Sequence, residues 1–344
     1  MIRIGIIGRG MAGRIFHAPL IRAVPEMHLD RVVGRADAAA LLEDRDIDLV
    51  VIATPNETHA HLAESALRAG KHVVIDKPFV LEPDDGQRLI DLAAQQSRML
   101  TVFQNRRWDG DYLTVGDLVA SGRLGEIRLF EAHWDRFRPA VPTGWREVPG
   151  PGTGTLWNLA PHMIDQMLLL FGTPDAVQAD IVAQRPDAVV DDYFSLTFHY
   201  GSMRATLAAS NLVASARPRF AIHGSAGSFV KFGLDPQEER LAAGVSPLDM
   251  GFANESPENY GWLHQGDVRE NLPSKTGVYL EFYRGMARAI RDGNAPPVDP
   301  RDSLVGVRLL QLARRSAELK VQVGAVLTDR LVTLTGLTNF NSLD

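Results

Sequence analysis

Lysine, histidine and amide or carboxylate side chains at telling intervals are the first candidates for chemistry in this sequence. Lys77 stands between Asp76 and Pro78, directly after the apolar run His72–Ile75. A lysine pinned at a strand exit can hydrogen-bond a hydroxyl and lower its pKa. The competing reading of equal weight is a solvated lysine, the default fate of that side chain. Further on, Asn158, His162 and Asp165 follow one another at intervals of four and three residues, which sets them on one side of a helix. An imidazole titrates close to neutral pH, so His162 suits general acid–base work, with Asn158 or Asp165 fixing its tautomer. The plainer reading is Asn158 as a helix cap and His162 as a structural histidine. No metal is expected. His59 and His61 are two apart and point to different helix faces, and no HExxH pairing occurs. The chain has no cysteine, which excludes disulfides, thiolate zinc sites and a cysteine nucleophile.

The elements that must position these groups begin with a glycine motif. Gly8, Gly10 and Gly13, with Met11 and Ala12 between them, lie after a short β-branched strand, Arg3–Gly8, and before a helix, Arg14–Val24. The first glycine permits a tight turn, the second lets backbone approach a pyrophosphate, and the third lets helix pack on strand. In this context the motif predicts dinucleotide binding, and so NAD or NADP as cofactor. Thr54, Pro55, Asn56 and His59 follow the apolar strand Leu49–Ala53 at its C-terminal end, where ligands bind in open α/β sheets. Ordinary turn and capping chemistry by Asn56 or Thr58 serves there as well. The ribose-binding acid belongs about 20 residues after the motif. Asp30 is near that count but lies within a possible strand. Asp37 and Arg35 are the alternatives, and Arg35 would suit a 2′-phosphate.

Strands alternate with helices up to about residue 105, including helices Thr58–Ala69 and Pro83–Gln96 and strand Met99–Phe103. Continuous apolar strands of this kind predict a parallel sheet covered on both faces. The interval from Met27 to Leu49 is about half the length that a strand, helix and strand would fill comfortably. The preferred expectation is a disordered adenosine-binding loop with residues missing from it, ahead of a lost βα unit. After residue 105 the texture changes. Ile127–Asp135, Asp175–Val182, Asp192–Tyr200, Met203–Asn211 and Arg219–His223 read as strands, several with the polar alternation of an antiparallel sheet. Helices are expected at Pro161–Phe171 and Pro300–Leu319, and loops with short strands over Gly233–Lys275. The expected fold class is therefore an α/β Rossmann domain, residues 1–105, followed by an α+β domain, residues 106–344, with a large, mostly antiparallel open sheet.

The 344 residues suit two domains. A net charge of -6 argues against nucleic acid as a partner. No apolar run is long enough for a membrane span. Met1–Ile7 runs straight into the glycine motif, so no leader is expected and a cytoplasmic setting fits.

Taken together, GRGMAG, ATPNETH, DKP and the glycine-rich loop Gly150–Gly154 before His162 resemble the Gfo/Idh/MocA family of NAD(P)-dependent oxidoreductases. The stretches FQNRRWDGDYLTVGDLVASGRLGEI, HWDRFRP, GWRE, NLAPHMIDQ and GLDPQEERL are similar to its scyllo-inositol 2-dehydrogenase-like subgroup. The resemblance covers nearly the whole chain. It implies Lys77 as the active-site lysine and His162 as the acid–base residue. It places Trp145 and Arg146 near the nicotinamide and Asn105 and Arg106 near cofactor and substrate. Asp76 would lie beside the cofactor, and Lys77, Arg106 and His162 would hold the substrate. Hydride would pass between nicotinamide and a carbinol carbon of a sugar or cyclitol, and the open sheet would make a homodimer or homotetramer. The chain has DKP where the family usually has EKP, and it departs in one way that matters more: Asn158 stands where an aspartate is usual. A charged partner is worth about 1.5–3 kcal/mol against about 1 for a neutral one, so a rate effect of roughly tenfold is expected, unless Asp165 compensates.

Two other functions share this fold. One is a non-redox sugar enzyme that retains its NAD. The other is a cofactor-binding regulator, which Lys77 and His162 argue against and Asn158 mildly favours.

Overall fold

The computed structural model describes residues 1–325. The stretch 326–344, the end of the expected second domain, lies outside the described residues. The first half alternates as its apolar runs predict. It comprises β1 (Ile2–Ile7), α1 (Ala18–Arg22), β2 (Met27–Val33), α2 (Ala38–Glu43), β3 (Leu49–Ile52), α3 (His59–Arg68), β4 (His72–Asp76), α4 (Pro83–Gln95) and β5 (Leu100–Phe103). The helix after the glycine motif starts earlier than expected, with a π-helical segment at Ala12–His17 leading into α1. The five strands are parallel in the order β2-β1-β3-β4-β5.

The interval after Met27 is resolved by this topology. β2 fills Met27–Val33, α2 follows, and the chain returns directly to β3, which pairs with β1. The chain is continuous here, so the expectation of missing residues is replaced by the other reading: a βα unit is absent and β2 is left as the sheet edge.

A parallel sheet must be covered on both faces. One face packs α2, α3 and α4 through Leu41, Leu62, Leu67, Leu89 and Ile90. The other packs α1 together with a helix from far along the chain, α8 (Leu280–Asp292, after α5–α7 below), through Phe282, Tyr283 and Met286. The chain thus comes back to its first sheet, a feature the division at residue 105 does not capture.

The second half holds α5 (Gly110–Ala120), β6 (Ile127–His133), α6 (Gly154–Phe171), β7 (Ala176–Val182), β8 (Tyr193–Tyr200), β9 (Met203–Ser210), β10 (Phe220–Gly224), β11 (Ser228–Lys231), α7 (Gln237–Ala242), β12 (Gly261–Gln265) and β13 (Val268–Leu272). After α8 come α9 (Pro300–Leu319) and β14 (Val323–Gly324). Its nine-stranded sheet runs β13-β12-β11-β10-β6-β9-β8-β7-β14, antiparallel except for β6 beside β9. Residues alternate along β8, with Phe194, Leu196 and Phe198 facing α6 and α9 in the core. The opposite face carries Ser195, Thr197 and Thr206 and has no helix over it among the described residues.

α6 starts seven residues before the expected Pro161. Proline inside a helix removes one N–H and its ring crowds the preceding turn, so the sequence signal favoured Pro161 as a start. Here it sits within the helix, on a segment buried by the nine-stranded sheet, and tertiary packing overrides the local preference.

Candidate active site

Gly8 carries a φ of +134° at the end of β1, and a Cβ there would lie 2.1 Å from the Ala53 carbonyl oxygen. Only glycine takes that turn without strain. A Cβ on Gly13 would lie 2.1 Å from the Gly8 oxygen, so Gly13 sets the close packing of helix on strand. Around a Cβ at Gly10 there is nothing within 4 Å. That open space faces the cleft and leaves backbone free to approach a diphosphate, as the motif requires. The residues present therefore fit a dinucleotide.

Two adjoining cavities run from this loop. The first, about 320 Å³, is lined by Gly8, Gly10, Met11, Ala12, Thr54, Pro55, Asn56 and the β2 exit at Gly34 and Arg35. The second, about 380 Å³, is lined by Asn105, Arg106, Trp134, Arg136, His162 and Glu238. Asp76, Lys77, Trp145, Arg146 and Asn158 line both. The candidate lysine and histidine, 85 residues apart in sequence, thus share one cavity at the far end of a nucleotide-shaped cleft.

Strand exits and one helix bring them there. Lys77 follows β4, and its Nζ donates to the Asn158 main-chain oxygen at 2.6 Å. Burial pushes its ammonium down to about 8; Asp76 opposes that, while Arg146 and Arg106 reinforce it. His162, 6% exposed on α6, is held well below its ordinary pKa by burial and then by Lys77, Arg106 and Arg219. Its ring stacks near Trp134, centroids 6.1 Å apart. Its Nδ1 is buried with no hydrogen-bond partner.

The structure departs from the expected tautomer-fixing partners. Asp165 is gripped by Arg107 through two hydrogen bonds of 2.9 and 2.7 Å, lies off both cavities and makes no bond to His162. A paired arginine satisfies that carboxylate better than a neutral imidazole does. Asn158 enters the cavity wall, yet its side chain makes no hydrogen bond to His162 among the described residues; its main-chain oxygen serves Lys77 instead.

His59 also stands behind the site rather than in it. It is buried, with Nδ1 2.8 Å from the Pro78 oxygen and Nε2 3.0 Å from the Thr54 oxygen, and so ties together the two loops that frame the cleft. Asn56 joins this frame by donating to the Gly152 oxygen at 2.7 Å, which links the first sheet to the glycine-rich loop ahead of α6. Arg106 is buried and held by Asp109, Tyr279 and Glu238, with its guanidinium 4.2 Å from the Trp134 ring centre. Arg146 lies over Trp145 at 4.6 Å. Neither Asp30 nor Asp37 is free for a ribose. Asp30 points within β2 to Arg3 and Arg31, and Asp37 pairs with Arg9.

Trp134, Arg136 and Glu238 line the cavity without having been singled out as site residues. The segments HWDRFRP and GLDPQEERL that hold them carry the family resemblance, but their spacing matches no chemical motif. Among the described residues no group of three or more metal-ligating side chains gathers to hold an ion. No described helix is long and apolar enough to cross a membrane.

Fold and cleft together define an oxidoreductase that binds a nicotinamide dinucleotide. Residues 34–104 match the oxidoreductase family's NAD-binding Rossmann fold, and residues 117–324 match its C-terminal alpha/beta domain. The chain belongs to the Gfo/Idh/MocA family. It is 38% identical to the scyllo-inositol 2-dehydrogenase (NADP(+)) IolW of Bacillus subtilis, over 93% of this chain and 94% of that protein. It is 40% identical to the uncharacterized oxidoreductase YdgJ of Escherichia coli, over 92% and 96%. The solved yvaA structure from Bacillus subtilis superposes with a TM-score of 0.90 at 36% identity, covering 94% of this chain and 98% of that one.

Proposed function

We propose that this chain is an NADP-preferring dehydrogenase that moves hydride between nicotinamide and a hydroxyl-bearing carbon of a cyclitol or sugar. One observation carries the reading: Lys77 and His162 line a single cavity that opens from the dinucleotide cleft. A nicotinamide bound there supplies or accepts the hydride. Gly8, Gly10, Met11, Ala12 and the Thr54–Asn56 loop hold the dinucleotide, with Trp145 and Arg146 at the nicotinamide end. The Lys77 ammonium hydrogen-bonds the reacting oxygen and stabilises negative charge developing on it. Neutral His162 takes the hydroxyl proton during oxidation and returns it during reduction. A regulator that merely senses the cofactor has no need of this pair.

The preference for NADP rests on the β2 exit. An acid at that place would bind the ribose 2′-hydroxyl. Here Gly34 and Arg35 line the cleft, and Arg9 lies beside them. Arg9 is already paired with Asp37, which leaves the Arg35 guanidinium to meet a 2′-phosphate, and the relative IolW is described as NADP(+)-dependent. We also propose a homodimer or homotetramer through the outer face of the nine-stranded sheet, which sedimentation would resolve.

The test is turnover. The protein is mixed with NADP or NAD and a panel of inositols and aldoses, and reduced cofactor is followed by absorbance. The expected result is growth of signal with at least one substrate, slowed by roughly 10²–10³-fold in Lys77→Met, with NADP favoured over NAD until Arg35→Ser removes the preference. Cofactor binding without turnover of any substrate would overturn the reading.

A further inference from the structure

The substrate end of the cleft holds more positive charge than the reaction needs. Its wall carries Arg106, Arg136, Arg138 and Arg146 beside Lys77, against three carboxylates, Asp76, Glu147 and Glu238. Two of these are already engaged: Glu238 takes Arg106, and Glu147 takes Arg185 at 3.0 Å from behind the wall. Asp76 accepts from the Lys77 main-chain N–H. Arg136 and Arg138 are left with no hydrogen-bonded or ion-paired side chain among the described residues. Arg136 is half-buried and Arg138 exposed; the Arg136 guanidinium is disfavoured by burial and then by Arg138, Glu238 (already engaged by Arg106) opposes that, and Arg106 and Arg146 add to it.

A guanidinium drawn from water toward other guanidiniums is unfavourable unless something compensates it. The dinucleotide cleft does not include it. Arg146 borders both cavities, but Arg136 and Arg138 line the substrate cavity and not the dinucleotide cleft. Main-chain bonds fix their position: the Arg136 N–H donates to the Ser210 oxygen at 2.9 Å, and the Arg138 N–H donates to the Asn211 oxygen at 2.7 Å. The segment after β6 is thus anchored through its backbone, and its two guanidiniums are left available to whatever fills the cavity.

Resting on the dehydrogenase reading, we propose that the physiological substrate is an acidic polyol: a sugar or cyclitol bearing a carboxylate or phosphate, whose charge is met by Arg136 and Arg138 while Lys77 and His162 address its reacting hydroxyl. Planar guanidiniums bind both kinds of anion in bidentate fashion, so the shared chemistry is the anion and experiment separates its two forms.

The experiment compares kcat/KM for glucuronate and glucose 6-phosphate with that for glucose and myo-inositol, in wild type and in Arg136→Gln and Arg138→Gln. Calorimetry of the same four compounds on the NADP-loaded protein runs in parallel. An acid favoured over its neutral counterpart by about tenfold or more, as a charge-assisted pair allows, with that ratio lost in either variant, supports the proposal. The better of the two acids then identifies carboxylate or phosphate. Raised salt should weaken the acid more than the neutral sugar. Equal or better use of the neutral compounds, or an acid-to-neutral ratio that survives both substitutions, overturns the proposal and leaves the dehydrogenase standing. If nothing is turned over, the dehydrogenase reading fails, and calorimetry still decides: equal binding of acid and neutral compounds overturns the anion site as well.

Discussion

At Lys77 burial and two neighbouring guanidiniums bring the ammonium down to about 8, so this side chain changes charge at the edge of the neutral range. The ammonium is the form that stabilises a developing alkoxide. It is present below that pKa and lost above it. In the direction of polyol oxidation, where His162 is already in its neutral, proton-accepting form, kcat/KM should therefore hold through neutrality and fall as pH rises through about 8. Removing this single donor by Lys77→Met should lower kcat by roughly 10²–10³-fold, the range for loss of one oxyanion donor. His162, held far below its usual pKa, stays neutral and adds no limb near pH 7; an inflection there would contradict the assignment. Asn158 sharpens the point. Its main-chain oxygen already meets Lys77, so Asn158→Asp sets a carboxylate beside the lysine and raises its pKa. The alkaline limb should move up, and polyol oxidation should quicken by up to about tenfold. A pH profile of the variant that overlays the wild type would mean residue 158 does not act through charge.

Between residue and fold stand the glycine loop and α6, and they show what local sequence discloses. Gly13→Ala drives a Cβ into the Gly8 oxygen and should destabilise the fold by about 1–3 kcal/mol, as overpacking does, whereas Gly10→Val projects into open space. The Gly10 variant should melt as the wild type does yet lose dinucleotide affinity, seen by thermal melting beside a cofactor titration. The roles of these glycines were legible because each answers to backbone geometry within a few residues. So were β3 and β4, whose unbroken apolar runs leave no polar face. The start of α6 was hidden by Pro161, a local breaker outvoted by burial. Asp165 misled for a related reason. Helical spacing gives the side of the helix on which a carboxylate lies, not that Arg107, 58 residues upstream, will claim it. That Arg136 and Glu238 share one cavity wall was invisible, since only the meeting of α7 with the segment after β6 brings them there.

Across the whole molecule the two sheets are joined by helices that belong to neither half of a simple division. α8 covers the first sheet and α9 touches both cores, Leu304 and Val307 in one and Leu309 and Leu310 in the other. Periodicity marks these helices as amphipathic but cannot say which sheet receives them. Truncating the buried Phe282 of α8 to alanine should cost about 3–5 kcal/mol, and because the helix closes the first core, calorimetry should show the loss together with weakened cofactor binding. Two bodies melting independently, with the cofactor site intact, would contradict the joint architecture. The central claim is hydride transfer at the Lys77–His162 cavity, and isotope labelling tests it most directly. A polyol deuterated at its carbinol carbons is incubated with NADP and the enzyme, and the products are read by mass spectrometry. The account predicts reduced cofactor carrying one deuterium, in step with oxidised substrate. Substrate altered without any label reaching the released cofactor would contradict it and indicate a non-redox enzyme that retains its nucleotide.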